Sequence, residues 1–151
     1  MTTFDFGFGE VPAHQHANGG GWVADSARVE DTVYVGPNAQ VFDNARIFGN
    51  ARVSGNSRVF DNARISSNAQ VFGNAQVSGD ARIFDDAQVS SNAQVSDNAQ
   101  VFGNAQVTGD ARVSGAAQIS GNSRVFDNAR IFGDAEVSGN SQVSGDARVS
   151  N

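Results

Sequence analysis

The sequence has no cysteine, no lysine and no leucine, and only two prolines among its 151 residues. Without cysteine, disulfides, thiolate metal sites and cysteine nucleophiles are excluded, and the redox compartment stays undetermined. Apolar stretches are very short, as at Val41-Phe42, against the roughly 20 residues that a bilayer-spanning helix needs. The start, Met1-Thr-Thr-Phe-Asp, lacks the basic residues of a secretory signal, so a soluble chain is expected. Positive charge is scarce: ten arginines face 16 acids, a net charge of −6. That balance argues against non-specific binding to nucleic acid or anionic membranes and allows a basic partner. What is present is 35 Val, Ile and Phe residues in a background of Gly, Asn, Ser, Asp and Ala. In random order such a composition would read as disordered.

The order is strictly periodic. From Val23 to Arg148 the chain divides into 21 hexads, each opening with Val or Ile. The fifth position is Ala in 17 hexads, Ser at 57, 123 and 141, and Val33 once. Each hexad therefore offers one branched and one small residue to an interior. On a helix, six residues turn through about 600°, a net 240°, which scatters the Val residues around the axis and leaves no apolar stripe. A solenoid of short strands fits instead. The third position is Gly in 11 hexads and Asp in seven, and the fourth is Asn or Asp in 18. These pairs are turn chemistry, and Asn or Asp at the fourth position is expected to take the positive φ of a bend. Between bends lie three-residue strands such as Arg46-Ile47-Phe48, with the middle residue inward and Phe, Ser, Gln and Arg outward.

Hexads such as Val41-Phe-Asp-Asn-Ala-Arg and Val71-Phe-Gly-Asn-Ala-Gln resemble the hexapeptide repeat of left-handed parallel β-helices, over residues 23–151. The resemblance implies an all-β, single-stranded left-handed parallel β-helix, a triangular prism of about seven coils of 18 residues. At about 4.8 Å per coil it would be roughly 34 Å long. Residues 18 apart then stack in rows. Outward Phe falls at 42, 60 and 132 on one face, at 48, 84 and 102 on the next, and at 72 and 126 on the third. They serve either lateral contact with other chains or local stacking, as of Phe42 on Phe60 and Phe84 on Phe102. Arg28, Arg46, Arg64 and Arg82 share one row, with Asp25, Asp43, Asp61 and Asp80 on the same corners. A self-neutralised corner is expected, with weak contact to an anionic glycan as the alternative. The Gln row 70, 88, 106 and the Asn row 38, 56, 74, 92 are expected to form amide ladders between coils.

Residues 1–22 stand outside the repeat as a Phe-rich cap or anchoring segment. Phe4, Phe6 and Phe8 alternate with Asp5 and Gly7, which reads as a strand with one aromatic face. It either caps the first coil or adds to another protein's sheet edge. With Trp22, Phe42, Phe60, Phe84 and Phe102 these three are the candidate assembly interface. At the other end the repeat stops at Val149-Ser-Asn, so the last coil is expected to meet a partner or to mark a shortened chain.

Many hexapeptide-repeat proteins are acyltransferases with a histidine near an intersubunit cleft, but these coils hold no His and no inserted loop. A γ-class carbonic anhydrase on this fold needs three His around zinc, and only His14 and His16 are present. His-x-His on a strand supplies two ligands, too few for a metal site unless an oligomer adds more, so no metal and no cofactor is expected. An ice-binding face would need Thr rows, and only Thr108 lies at an outward strand position. The expected function is therefore a non-catalytic structural module of a virion surface (capsid decoration, fibre or spike) or a cell surface. It would be attached through the N-terminal segment into a homo-oligomer or larger protein assembly, without nucleic acid or membrane insertion. The alternatives are a bactofilin-like filament scaffold, an acyltransferase relative and an ice-binding protein.

Overall fold

The computed structural model describes residues 2–151. Those residues form 24 strands and no helix. The first five are β1 (Thr3–Asp5), β2 (Glu10–Gln15), β3 (Trp22–Ala24), β4 (Arg28–Val29) and β5 (Tyr34–Val35); from β3 onward a short strand recurs every six residues, as far as Arg148–Val149. Successive strands go to three different sheets. One has ten strands, running from β1, β2 and β3 to Arg148–Val149; the other two have seven each, from β4 to Glu136–Val137 and from β5 to Gln142–Val143. Within a sheet Val23 pairs with Val41, Val29 with Ile47 and Val35 with Val53, all parallel, so each coil takes 18 residues. The chain is a parallel β-solenoid of about seven coils, as the resemblance to hexapeptide-repeat β-helices implies.

The branched first position and the small fifth position alternate along the interior because each strand turns its Val or Ile inward while the corner brings Ala beneath it. Val53, Ile65, Ile83, Val101 and the intervening alanines are fully buried. Burying each Val or Ile is worth roughly 1.5–3 kcal/mol relative to exposure. Ser57 and Ser123 take the alanine place, also fully buried; each hydroxyl donates to the carbonyl three residues earlier, Ser54 and Ser120, at 2.7 Å. A polar group in the thin core is thus satisfied locally.

From β4 onward the strands are only two residues long because a corner interrupts the extended backbone in every hexad, yet the backbone ladder carries on through the corners. Arg46 N–H donates to the Ala63 carbonyl, Phe48 to Ile65 and Asn50 to Ser67, at 2.8–3.0 Å. The corner differs from the sequence expectation in one respect. The left-handed residue is the third of the hexad, not the fourth: Asp43, Asp61 and Ser67 have φ of 57–59°, and Gly73 has 70°. Glycine or a short polar residue is needed there for conformation, and at Gly73 also for space. A Cβ on it would lie 2.8 Å from the backbone nitrogen of Ser91 one coil on. The Asn that follows is free to use its side chain. Asn56 donates to Asn74, Asn74 to Asn92 and Asn92 to Asp110, at 3.0–3.3 Å, which is the expected ladder, though Asn38 is outside it. Gln70, Gln88 and Gln106 stack in register, yet their amides make no such bonds among the described residues.

Candidate functional site

The N-terminal segment folds back on the prism. β1 and β2 pair antiparallel, Phe4 opposite Val11, and β2 pairs antiparallel with β3, His14 opposite Val23. The expected Phe-x-Phe-x-Phe strand ends at Asp5. Its Oδ1 accepts the N–H groups of Gly7 and Gly9 at 2.7 and 2.9 Å, and both glycines have φ near 110°. A carboxylate gathering N–H donors in this way nucleates the bend. The bonds from Gly7 and then Gly9 hold the Asp5 carboxyl below its ordinary range.

The bend brings the aromatic side chains onto one face of the first coils. Phe4 stacks on Trp22 at 4.7 Å, Phe6 on Phe42 at 4.9 Å and Phe42 on Phe60 at 5.0 Å, while Phe8 reaches Phe42 at 5.6 Å. Arg58 joins them. Its guanidinium lies 4.9 Å from the Phe42 ring centre, its Nη2 donates to the Phe6 carbonyl, and its Nε is buried without a partner. Phe42, expected outward, is instead 4% exposed, because the hairpin covers it. Of the candidate interface residues, Phe4, Phe6, Phe8, Trp22, Phe42 and Phe60 gather in this cluster, whereas Phe84 and Phe102 form a separate stacked pair at 4.9 Å on another face. Phe8 remains 57% exposed at the hairpin tip.

The connection from β2 to β3 covers a second edge. Val35 N–H donates to the Asn18 carbonyl and Gly21 N–H to the Val35 carbonyl, so residues 18–21 pair with the first strand of that sheet. Gly19 and Gly21 are required because a Cβ on either would fall 2.2–2.3 Å from a carbonyl oxygen of Val35 or Gly36. His16 is buried there, its Nε2 2.8 Å from the Val33 carbonyl oxygen, while His14 is exposed and its Nδ1 lies 2.8 Å from Asp25. The two imidazoles are thus placed with different partners. Among the described residues no group of three or more His, Cys, Asp or Glu could hold a metal ion. Residues 18–21 thus pair with β5, the hairpin moves the edge of the ten-stranded sheet from β3 to β1, and β4 stays the terminal strand of its sheet.

The arginine row is set differently from expectation. Arg28, Arg46, Arg64 and Arg82 stand in register on successive coils. Among the described residues no arginine lies within ion-pair distance of a carboxylate, so these arginines do not pair with the corner acids. The carboxylates are engaged with backbone instead: Asp43 accepts from Asp61 N–H at 3.3 Å and Asp61 from Gly79 N–H at 3.0 Å. A corner Asp at the left-handed position faces the next coil's N–H, which a carboxylate accepts without crossing the bend to the arginine. A groove of about 450 Å3 follows the row.

Six stretches, residues 39–55, 45–60, 75–91, 93–108, 99–115 and 105–121, match the family model of the YdcK Beta solenoid repeat. No curated protein and no solved structure matches the chain. The matched repeats and the stacked coils make this a β-solenoid repeat protein, similar over those residues to the YdcK Beta solenoid repeat.

Proposed function

We propose that the chain is a non-catalytic structural module, a rigid spacer of a virion-surface or cell-surface assembly whose attachment element is the N-terminal hairpin. The observation that carries this reading is the unbroken register of the coils: every pairing from β3 to Arg148–Val149 is offset by the same 18 residues, with no inserted loop to shape a substrate cleft. Continuous ladders of this kind give stiffness along the axis. The hairpin supplies the contact, since its tip presents Phe8 more exposed than any other large apolar side chain among the described residues. The antiparallel hairpin on β3 and the pairing of residues 18–21 with β5 replace two of the parallel edges at the N-terminal end, which favours a discrete assembly over end-to-end stacking of parallel coils.

Light scattering on the full chain and on Phe8→Ser tests the reading. The expected result is a discrete oligomer that falls to the single-chain mass in the variant. A single-chain mass for both proteins would remove self-assembly through the hairpin, and open-ended growth would favour the filament.

A further inference from the structure

One corner of the prism differs from the other two in its asparagines, which among the described residues form no side-chain ladder between coils. On the corner beside the Asn56 row, asparagines bond to one another from coil to coil. On the corner beside the arginine row, Asn44, Asn62 and Asn98 make no side-chain hydrogen bond among the described residues, and they line the groove together with Arg46, Arg64 and Arg82. Asp80 is the single acid in that lining. Asp43 and Asp61 on this corner turn their carboxylates to backbone N–H groups of the next coil, so the adjacent guanidinium groups are not ion-paired, and like charges at this spacing repel by about 1 kcal/mol per pair in water. An anion laid along the row relieves that repulsion and accepts their hydrogen bonds.

The other side of the same row carries an aromatic gap. Phe48, Ser66 and Phe84 occupy successive coils, so the two rings stand two coils apart with a small side chain between them. One coil separates stacked rings by 4.9 Å, as between Phe84 and Phe102, and the Phe48–Phe84 gap is therefore wide enough for one flat ring. The slot measures about 240 Å3 and is walled by Phe48, Phe84, Arg64 and Arg82. Phe48 is 40% exposed.

We infer that this face binds a linear carboxylated polysaccharide. Its carboxylates lie on Arg46, Arg64 and Arg82, its hydroxyls on the free asparagine amides, and one sugar ring between Phe48 and Phe84. Charge recurs once per coil, near 4.9 Å, close to the length of one sugar unit, so a uronate chain laid along the row stays in step with the coils and presents to it the carboxylates on its facing side. A stacked nucleic acid strand carries a phosphate about every 3.4 Å and drifts out of register within two coils. Free amides, both donors and acceptors, match hydroxyl groups, which a phosphodiester backbone does not offer in such number.

The test is calorimetric titration of the full chain with an oligogalacturonate long enough to cover the row. Its fully methyl-esterified counterpart and an oligothymidylate of similar length are the comparisons. The acid oligomer is expected to bind, more weakly as salt rises, and Arg64→Gln and Arg82→Gln each to lower affinity about five-fold. Phe84→Ser is expected to weaken binding as well, and Arg124→Gln on another sheet to leave it unchanged. Gln is native at 100 and 118 and Ser at 66 and 120 in these same rows, so the variants suit the fold. Absence of binding at low salt, equal binding of the ester, or an affinity indifferent to Arg64 and Arg82 would overturn the inference. Tighter binding of the oligothymidylate would assign the face to nucleic acid instead.

Discussion

A corner of this solenoid depends on two adjacent residues with separate tasks. Gly73 takes the left-handed backbone conformation against Ser91 of the next coil, and Asn74 bonds sideways to Asn56 and Asn92. Substitution therefore affects them unequally. Gly73→Ala meets both an unfavourable φ and a contact with backbone, and it is expected to cost about 1–3 kcal/mol. Asn74→Ala removes two exposed amide bonds and is expected to cost about 1 kcal/mol or less. Chemical denaturation of the two variants checks the order; equal losses would put the conformational demand back on the asparagine. The Gly-Asn pair is legible in the sequence as a bend, but composition does not say which member is left-handed, since both types favour that region. Only the approach of the neighbouring coil decides it.

At the level of elements, the N-terminal hairpin is attached by side chains as much as by strand pairing. Arg58 is the hinge of that attachment: it stands where Gln40 and Gln76 stand in the same row, and it bonds to the Phe6 carbonyl beneath the aromatic rings. Arg58→Gln is expected to weaken docking of the hairpin by about 1–2 kcal/mol, through the loss of a charge-assisted bond and of the cation–π contact. Hydrogen exchange would report it as faster exchange of the β1 and β2 amides, with the amides of Ile83 and Val101 unchanged. Equal protection in parent and variant would show that backbone pairing alone holds the hairpin. The Phe-rich segment is legible as an element apart from the repeat. Its bend at Asp5 and its burial of Phe42 are not, because Phe42 occupies the same hexad position as the exposed Phe48 and Phe132. The cover comes from a segment more than thirty residues away in sequence.

Across the whole molecule, stability is shared among coils through nearest neighbours. Ile83 is fully buried and pairs with Ile65 below and Val101 above. Ile83→Asp puts a carboxylate where no partner or water reaches, and is expected to cost about 4 kcal/mol or more. Gln94→Ala, at an exposed position, should change little. Thermal unfolding of both checks this, and a parent-like melting temperature for Ile83→Asp would contradict the interior placement. The period of six by itself determined a solenoid of short strands and the inward Val, Ile and Ala rows, because strand alternation and a bend per hexad leave those residues one side to occupy; the 18-residue coil is what the resemblance to hexapeptide-repeat β-helices implies, and the pairing of Val23 with Val41 shows it. The tertiary structure decided which corner residue is left-handed, that the acids bond to the next coil's backbone rather than to arginine, and that the hairpin lies across the first coils. Each of these depends on a group one coil or more away in space, and a repeat that is nearly identical in every hexad carries no mark of which neighbour it will meet.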